Sequence, residues 1–268
     1  MVVSPIEDTP AYKAGIKAGD ILLKIDGEDL SGQSLNEVVK KIRGQDGSQV
    51  TLTLKRGSEE AKDITVTRSD IKLKSVYGRM DGDGIGYIRV TNFNEDTDKD
   101  FGEKLQQLRD QGMKALVLDL RDNTGGLLES GVGVARYLVP KGPIVSVTDK
   151  DGNTQTESSS LEKVDFPLAV LVNHGTASAA EIVSGAIQDT GSGKLFGVKT
   201  YGKGVVQNIF LLSNQTAVKL TVARYYTPSG RSIDKVGITP DEVVEAAGEE
   251  GANQLQAAEN YLRQQLQQ

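Results

Sequence analysis

Four residues between positions 174 and 207 offer the clearest chemistry in the chain: His174, Ser178, Lys203 and Gln207. A serine hydroxyl is a poor nucleophile until a neighbouring base takes its proton. The chain holds no cysteine and one histidine, His174, four positions before Ser178. A Ser-His pair would need His174 to fold back across its own turn, whereas the known chain orders keep the two residues far apart. Otherwise His174 reads as a turn residue near the site. The other base is Lys203, set between Gly202 and Gly204, 25 residues after the serine. Lysine serves as a base only as the neutral amine, a form that apolar burial favours, and Phe196, Val198 and Val205 are its apolar neighbours in sequence. If the segment after Lys203 is extended, Lys203, Val205 and Gln207 share a face. The Gln207 amide then reaches the amine and orients it. The chemistry on offer is acyl transfer through a serine ester.

These residues need particular elements to hold them. Leu168 to Val172 reads as an apolar strand, followed by a tight turn of small residues and a helical run from Ala179. Ser178 falls where the turn becomes the helix, at the end where free N–H groups and the helix dipole favour negative charge. A second switch from strand to helix lies upstream. Ala115 to Leu120 is a continuous apolar run of the buried parallel type. It leads through Arg121-Asp122-Asn123-Thr124-Gly125-Gly126 into a helix from Leu127-Leu128. Paired glycines there let backbone N–H groups approach a ligand, or make a plain tight turn. Gly197 to Lys203 also matches the phosphate-loop spacing G-x-x-x-x-G-K, with Val117-Leu118-Asp119 as an acidic strand end. The match fails at Gly204, where magnesium needs Ser or Thr, and at Val205 to Leu212, which reads as strand rather than helix.

The runs T-A-S-A-A-E (176–181) and F-G-V-K-T-Y-G-K-G-V-V-Q (196–207) resemble the active-site signature of the carboxy-terminal processing, or tail-specific, proteases, which are Ser-Lys enzymes. The resemblance implies Ser178 as nucleophile, Lys203 as general base and Gln207 as the residue orienting the lysine. Ala180 departs from the commonest form, in which another serine stands there. L-R-D-N-T-G-G-L-L (120–128) resembles the family's oxyanion segment and implies that the Gly126 and Ala179 N–H groups receive the oxyanion, with Gly125 as second choice. The run from Ser4 to Leu30, S-P-x-x-D-T-P-A-x-x-A-G-I-K-A-G-D-I-L-L-K-I-D-G-E-D-L, resembles a PDZ domain of the bacterial protease type. Such domains add a peptide strand to a sheet edge and hold its terminal carboxylate. In the family the carboxylate loop and the ligand-pairing strand precede the segment equivalent to Val2-Val3, so the groove reads as incomplete.

By this resemblance the fold is α/β (α+β): an N-terminally incomplete PDZ-like domain over 1–70, then a crotonase-like ββα protease core over 71–268. The implied activity is that of a serine endopeptidase cutting partly unfolded proteins near apolar C-termini, with PDZ-mediated recognition or gating in which Arg43 is a contact. Neither cofactor nor metal is expected. The implied location is extracytoplasmic, in the periplasm or cell envelope. The alternative is a catalytically inactive PDZ adaptor that binds protein C-termini, against which the intact Ser178, Lys203 and Gln207 speak.

Composition bounds these readings. The 268 residues, 37% hydrophobic and 25% charged, suit one large or two modest globular domains. A net charge of −6 with no basic cluster interleaved with aromatics disfavours nucleic acid. No apolar run reaches the roughly 18 residues of a membrane span. No signal segment is recognisable, and Met1-Val2-Val3 begins as if inside a strand, so peripheral membrane association would depend on segments absent here. Asp81 to Gly86 lacks the ligands of a calcium loop and reads as a glycine turn into a strand. The spacing of Phe101, Leu105 and Leu108 predicts a helix over 97–111. Strands are expected at 143–147 and 153–157, and a hairpin at 205–212 and 217–223 across Ser213-Asn214. Arg231 is either a cleft charge or a loop-pinning arginine. An amphipathic helix over 254–266 docks on its own core or makes a homodimer contact.

Overall fold

Thr9, Pro10 and Ser34 set the two short helices near the start of the chain. The computed structural model describes residues 1–2, 5, 9–71, 74–212 and 216–267. They fall into two compact units, Met1–Leu73 and Lys74–Gln268. In the first, Thr9 caps α1 (Pro10–Lys13), with proline in the first turn, where its missing N–H costs nothing. Strands β1 (Ile21–Ile25) and β2 (Glu28–Asp29) precede α2 (Leu35–Ile42), which opens on a Ser34/Glu37 capping box. The helix stops at Ile42 because the Arg68 guanidinium takes its last carbonyls, donating to Lys41 O and Ile42 O. Strands β3 (Gln49–Lys55) and β4 (Lys62–Thr67) complete an antiparallel sheet in the order β2-β1-β3-β4. Alternating Val50, Leu52 and Leu54 line its core with Ile16, Ile25 and Val66. Asp20, 1% exposed, is bound by Arg56 Nε at 2.7 Å and Lys17 N–H at 2.8 Å.

The second unit is built on a six-stranded sheet. In chain order it comprises β5 (Val76–Met80), β6 (Ile85–Val90), α3 (Thr97–Asp110), β7 (Ala115–Asp119), α4 (Leu128–Ala135), β8 (Gly142–Asp149), β9 (Thr154–Ser159), β10 (Leu168–Val172), α5 (Ala179–Thr190), β11 (Lys194–Gly197), β12 (Val205–Leu211), β13 (Ala217–Tyr226), β14 (Glu242–Val243) and α6 (Ala252–Gln265). The sheet order is β14-β11-β10-β7-β6-β5, parallel except for β5. Every residue of β7 and β10 is buried, as continuous apolar runs require of a strand covered on both sides. Period-two alternation divides them: Leu116, Leu118 and Val170 face α3, α4 and α5, whereas Ala115, Val117 and Leu171 face α6. Ala258 and Leu262 of α6 are fully buried against that second face, so the helix docks on its own core.

A separate antiparallel sheet, β12-β13-β8-β9, stands beside the first. Asp81 to Gly86 is the expected glycine turn, a short 3-10 segment at Gly82–Gly84 leading into β6. Strands β11 and β14 carry no periodic signal. Four and two residues long, they form by parallel pairing with a neighbour already in place. Ser213-Asn214, the expected hairpin tip, and Val3 and Ser4 of the expected N-terminal strand and break lie outside the described residues. The architecture is the expected mixed α/β one.

Candidate active site

The loop after β10 is laced to the loop after β7. Thr176 Oγ1 donates to Leu120 O at 2.8 Å, Ala177 N–H to Asn123 O at 2.9 Å, and Asp122 N–H to Asn173 Oδ1 at 2.9 Å. The chain then turns sharply into α5 at Ser178, whose φ of 57° and ψ of −120° are ones that a side-chain-bearing residue seldom adopts. Such backbone costs about 1–3 kcal/mol and persists where its surroundings over-determine it. The serine hydroxyl does not cap its own helix, because the Glu181 and Ile182 N–H groups bond the Ser178 carbonyl instead. That leaves Oγ for other work.

Glu181 is what holds the turn. It is fully buried and each carboxylate oxygen accepts two hydrogen bonds. Oε2 receives the Ser178 and Lys203 N–H groups, both at 2.9 Å. Oε1 receives Thr200 Oγ1 at 2.6 Å and the Gly202 N–H at 2.7 Å. One side chain therefore sets the spacing between the serine and the lysine segment, 22 residues further on. Flanking glycines fix the lysine's backbone from the other side. A Cβ on Gly204 would lie 2.4 Å from Asp234 N, and one on Gly202 2.8 Å from Gly237 N. The G-K-G run is thus a close-packed backbone seat, and strand β12 follows it, contrary to a phosphate loop.

Gly126, Ser178, Ala179, Lys203, Gln207 and Tyr225 open onto one cleft of about 360 Å³. Leu127, Leu128, Ile182, Val205 and Val206 contribute its apolar wall, beside the carboxylate-bearing Glu129. Val205 and Val206, the first two residues of β12, both line the cleft, and the β12–β13 register shifts just after them, with Val222 of β13 as the extra residue. No hydrogen bond joins Ser178 Oγ, Lys203 Nζ and the Gln207 amide to one another, so the orienting contact expected of Gln207 is not made in this structure. Apo sites commonly leave such contacts open until substrate arrives.

The glycine pair lies directly against the serine. A Cβ on Gly125 would sit 2.7 Å from Ser178 Cβ, and one on Gly126 only 2.1 Å from Phe93 O. Their φ values of 97° and 146° also exclude ordinary side chains. Gly125 N–H is spent on Asn123 Oδ1 at 2.9 Å, whereas the Gly126 and Ala179 N–H groups donate to no described residue. Of the two glycines, Gly126 is the one with an N–H to offer.

His174 sits in a turn but opens on a different cavity, of about 550 Å³, with Arg89, Arg121 and Asp122. It does not line the cleft of Ser178. Beside that cavity Tyr87 donates to Asp119 Oδ2 at 2.7 Å, and burial next to this carboxylate pushes its phenol up to about 12. Arg231 pins its loop: it pairs with Asp189 and donates to Gln188 Oε1 at 3.0 Å. Glu181 was absent from the sequence-derived site. Its signal is the acidic residue three places after the N-cap, the spacing of a capping box.

A family model for peptidase family S41 matches residues 84–244, more than half the chain, and a PDZ domain model matches residues 1–56. The chain belongs to peptidase family S41. It is 45% identical over 252 residues to a carboxy-terminal-processing protease of Bartonella bacilliformis, and 41% identical over 250 residues to a carboxyl-terminal-processing protease of Synechocystis. Each alignment takes in 91% of this chain and 58% of the relative, so the chain spans little more than half their length. Among solved structures, the photosystem II D1 C-terminal processing protease is 35% identical with a TM-score of 0.60, over 91% of this chain and 68% of that one. A putative S41 protease of Bacteroides fragilis, 20% identical, shares the fold with a TM-score of 0.62 over 94% and 75%. The S41 match contains Ser178, Lys203, Gln207, Gly126 and Ala179, as well as Glu181 and Tyr225.

Proposed function

We propose that this S41 chain is a serine endopeptidase in which Ser178 is the nucleophile, Lys203 the general base and Gln207 the residue that orients the amine. The observation that carries the reading is the shared cleft onto which Ser178 and Lys203 open, with their backbones tied to one carboxylate oxygen of Glu181. In the first half-reaction Lys203 Nζ accepts the Ser178 proton while Oγ bonds to the peptide carbonyl carbon. The C–N bond then breaks, and the Lys203 ammonium returns its proton to the leaving amine. In the second, water gives a proton to Lys203 and attacks the acyl carbon, and Oγ leaves carrying the proton back. The negative oxygen formed each time meets the Gly126 N–H, just before α4, and the Ala179 N–H at the start of α5, fixed donors that act most strongly out of water.

The substrates in this reading are partly unfolded proteins cut near apolar C-termini, recognised or gated through the PDZ-like domain, in an extracytoplasmic compartment. The names of the relatives support the C-terminal preference. A purely adaptor role is not favoured, since the nucleophile, base and free N–H donors all open on one cleft. The test is digestion of a disordered protein with and without its last few apolar residues, alongside Ser178→Ala. Cleavage should need Ser178 and slow when the apolar tail is removed. Equal cleavage by Ser178→Ala would overturn the catalytic assignment, and indifference to the tail the C-terminal one.

A further inference from the structure

Tyr225 lies on β13, 3% exposed, with its hydroxyl shut off from solvent, yet among the described residues that hydroxyl has no hydrogen-bond partner. Such a group is costly: a buried phenol normally finds an acceptor, and one left without is a net loss to the fold. A phenylalanine would fill the same volume without that cost. The surroundings say what the hydroxyl is for. Tyr225 as a residue lines the cleft of Ser178 and Lys203, and its N–H donates to Gly204 O at 3.1 Å, which ties it to the residue after the lysine.

We propose that Tyr225 is a further catalytic residue whose phenol O–H donates to Ser178 Oγ during turnover. Resting on the Ser178–Lys203 reading, this gives the second lone-pair direction of Oγ a donor while the Ser178 proton points to Lys203 Nζ. In acylation the donor stabilises the charge that builds on Oγ as its proton moves to the amine. In deacylation Oγ is the leaving atom, and the same donor steadies it as the C–Oγ bond breaks. Tyr225 keeps its proton in both steps. Burial, with Glu181 nearby, pushes the phenol well above its ordinary range, while the adjoining Ser178 hydroxyl pulls the other way. The phenol is therefore a donor at every working pH. Catalytic hydrogen bonds commonly tighten only once substrate is bound.

The test is Tyr225→Phe, assayed by inactivation with diisopropyl fluorophosphate, which reads Ser178 reactivity without a known substrate, and by turnover of a quenched fluorescent peptide with an apolar C-terminus. Losing a donor to a charged oxygen should slow inactivation and kcat by about 10- to 100-fold. KM should stay within about twofold, and the melting temperature should hold or rise, because an unsatisfied buried hydroxyl has been removed. Unchanged inactivation and kcat overturn the proposal. So does a loss of activity that comes with a lowered melting temperature and a matching change in KM, which marks damaged packing. Wild-type protein that fluorophosphate fails to modify at Ser178 would defeat the nucleophile assignment itself. Wild-type modification with an unaltered Tyr225→Phe defeats only the role of Tyr225.

Discussion

Glu181→Gln is the perturbation that most directly probes how the site is held. The two side chains have the same shape, but one carboxylate oxygen becomes an NH2 group. Every neighbour of that carboxylate is a donor: the Ser178, Gly202 and Lys203 N–H groups and the Thr200 hydroxyl. Whichever way the amide turns, two hydrogen bonds are lost and donors face donors. Hydrogen bonds to a carboxylate contribute about 1.5–3 kcal/mol each, so two are worth roughly 3–6 kcal/mol. A neutral amide costs less to bury and the 200–203 loop can relax, which brings the expected loss to about 2–4 kcal/mol. For a unit of this size that is a fall in melting temperature of roughly 5–15 °C. Activity should fall further than stability, by about 100-fold or more, because the strained Ser178 turn and the Lys203 backbone are released together. Melting and peptide turnover, measured on the same preparation at a temperature where the variant is folded, check both. A Glu181→Gln protein that melts within 2 °C of wild type and retains half its turnover would refute the reasoning.

Gly126→Ala places a Cβ against Phe93 O in backbone that alanine rarely adopts. It should destabilise the fold by about 3 kcal/mol or more and abolish cleavage; a near-normal urea midpoint would contradict this. In the N-terminal unit, hydrogen bonds from the Arg56 guanidinium, then from Lys17 N–H, lower the Asp20 carboxyl from 3.8 to about 2. A lowered folded-state value stabilises above the unfolded one, so this contribution is complete above about pH 4 and fades as pH falls through about 2. Calorimetry should show Asp20→Asn losing less stability than wild type between pH 4 and pH 2, and parallel losses would count against the ion pair.

The elements that were legible in the sequence are those whose pattern is local. Ala115–Asp119 and Leu168–Val172 announce strands buried on both faces, and the spacing of Phe101, Leu105 and Leu108 announces α3. Serine and lysine are common in the chain; Ser178 and Lys203 were legible because they stand in the T-A-S-A-A-E and Y-G-K-G-V-V-Q runs that resemble the family signature. Strands β11 and β14 were not, since pairing with distant neighbours makes them strands. The clamp by Glu181 reaches a residue 22 positions away and joins it to Ser178, and the place of Tyr225 depends on β13 crossing beside the lysine loop. Neither leaves a periodic trace. The resemblance already put Gly126 ahead of Gly125, but the physical reason, the Gly125 N–H spent on the Asn123 side chain, is one no spacing rule predicts.

The central claim is that the amine of Lys203, not the imidazole of His174, takes the proton from Ser178. Turnover of one apolar-tailed peptide by Lys203→Ala and His174→Ala, with folding checked by circular dichroism, decides it. The account predicts that Lys203→Ala loses cleavage by about 1,000-fold or more, in the range seen when a base is removed, while His174→Ala stays within a few-fold of wild type. Near-normal turnover in Lys203→Ala with loss in His174→Ala would contradict it.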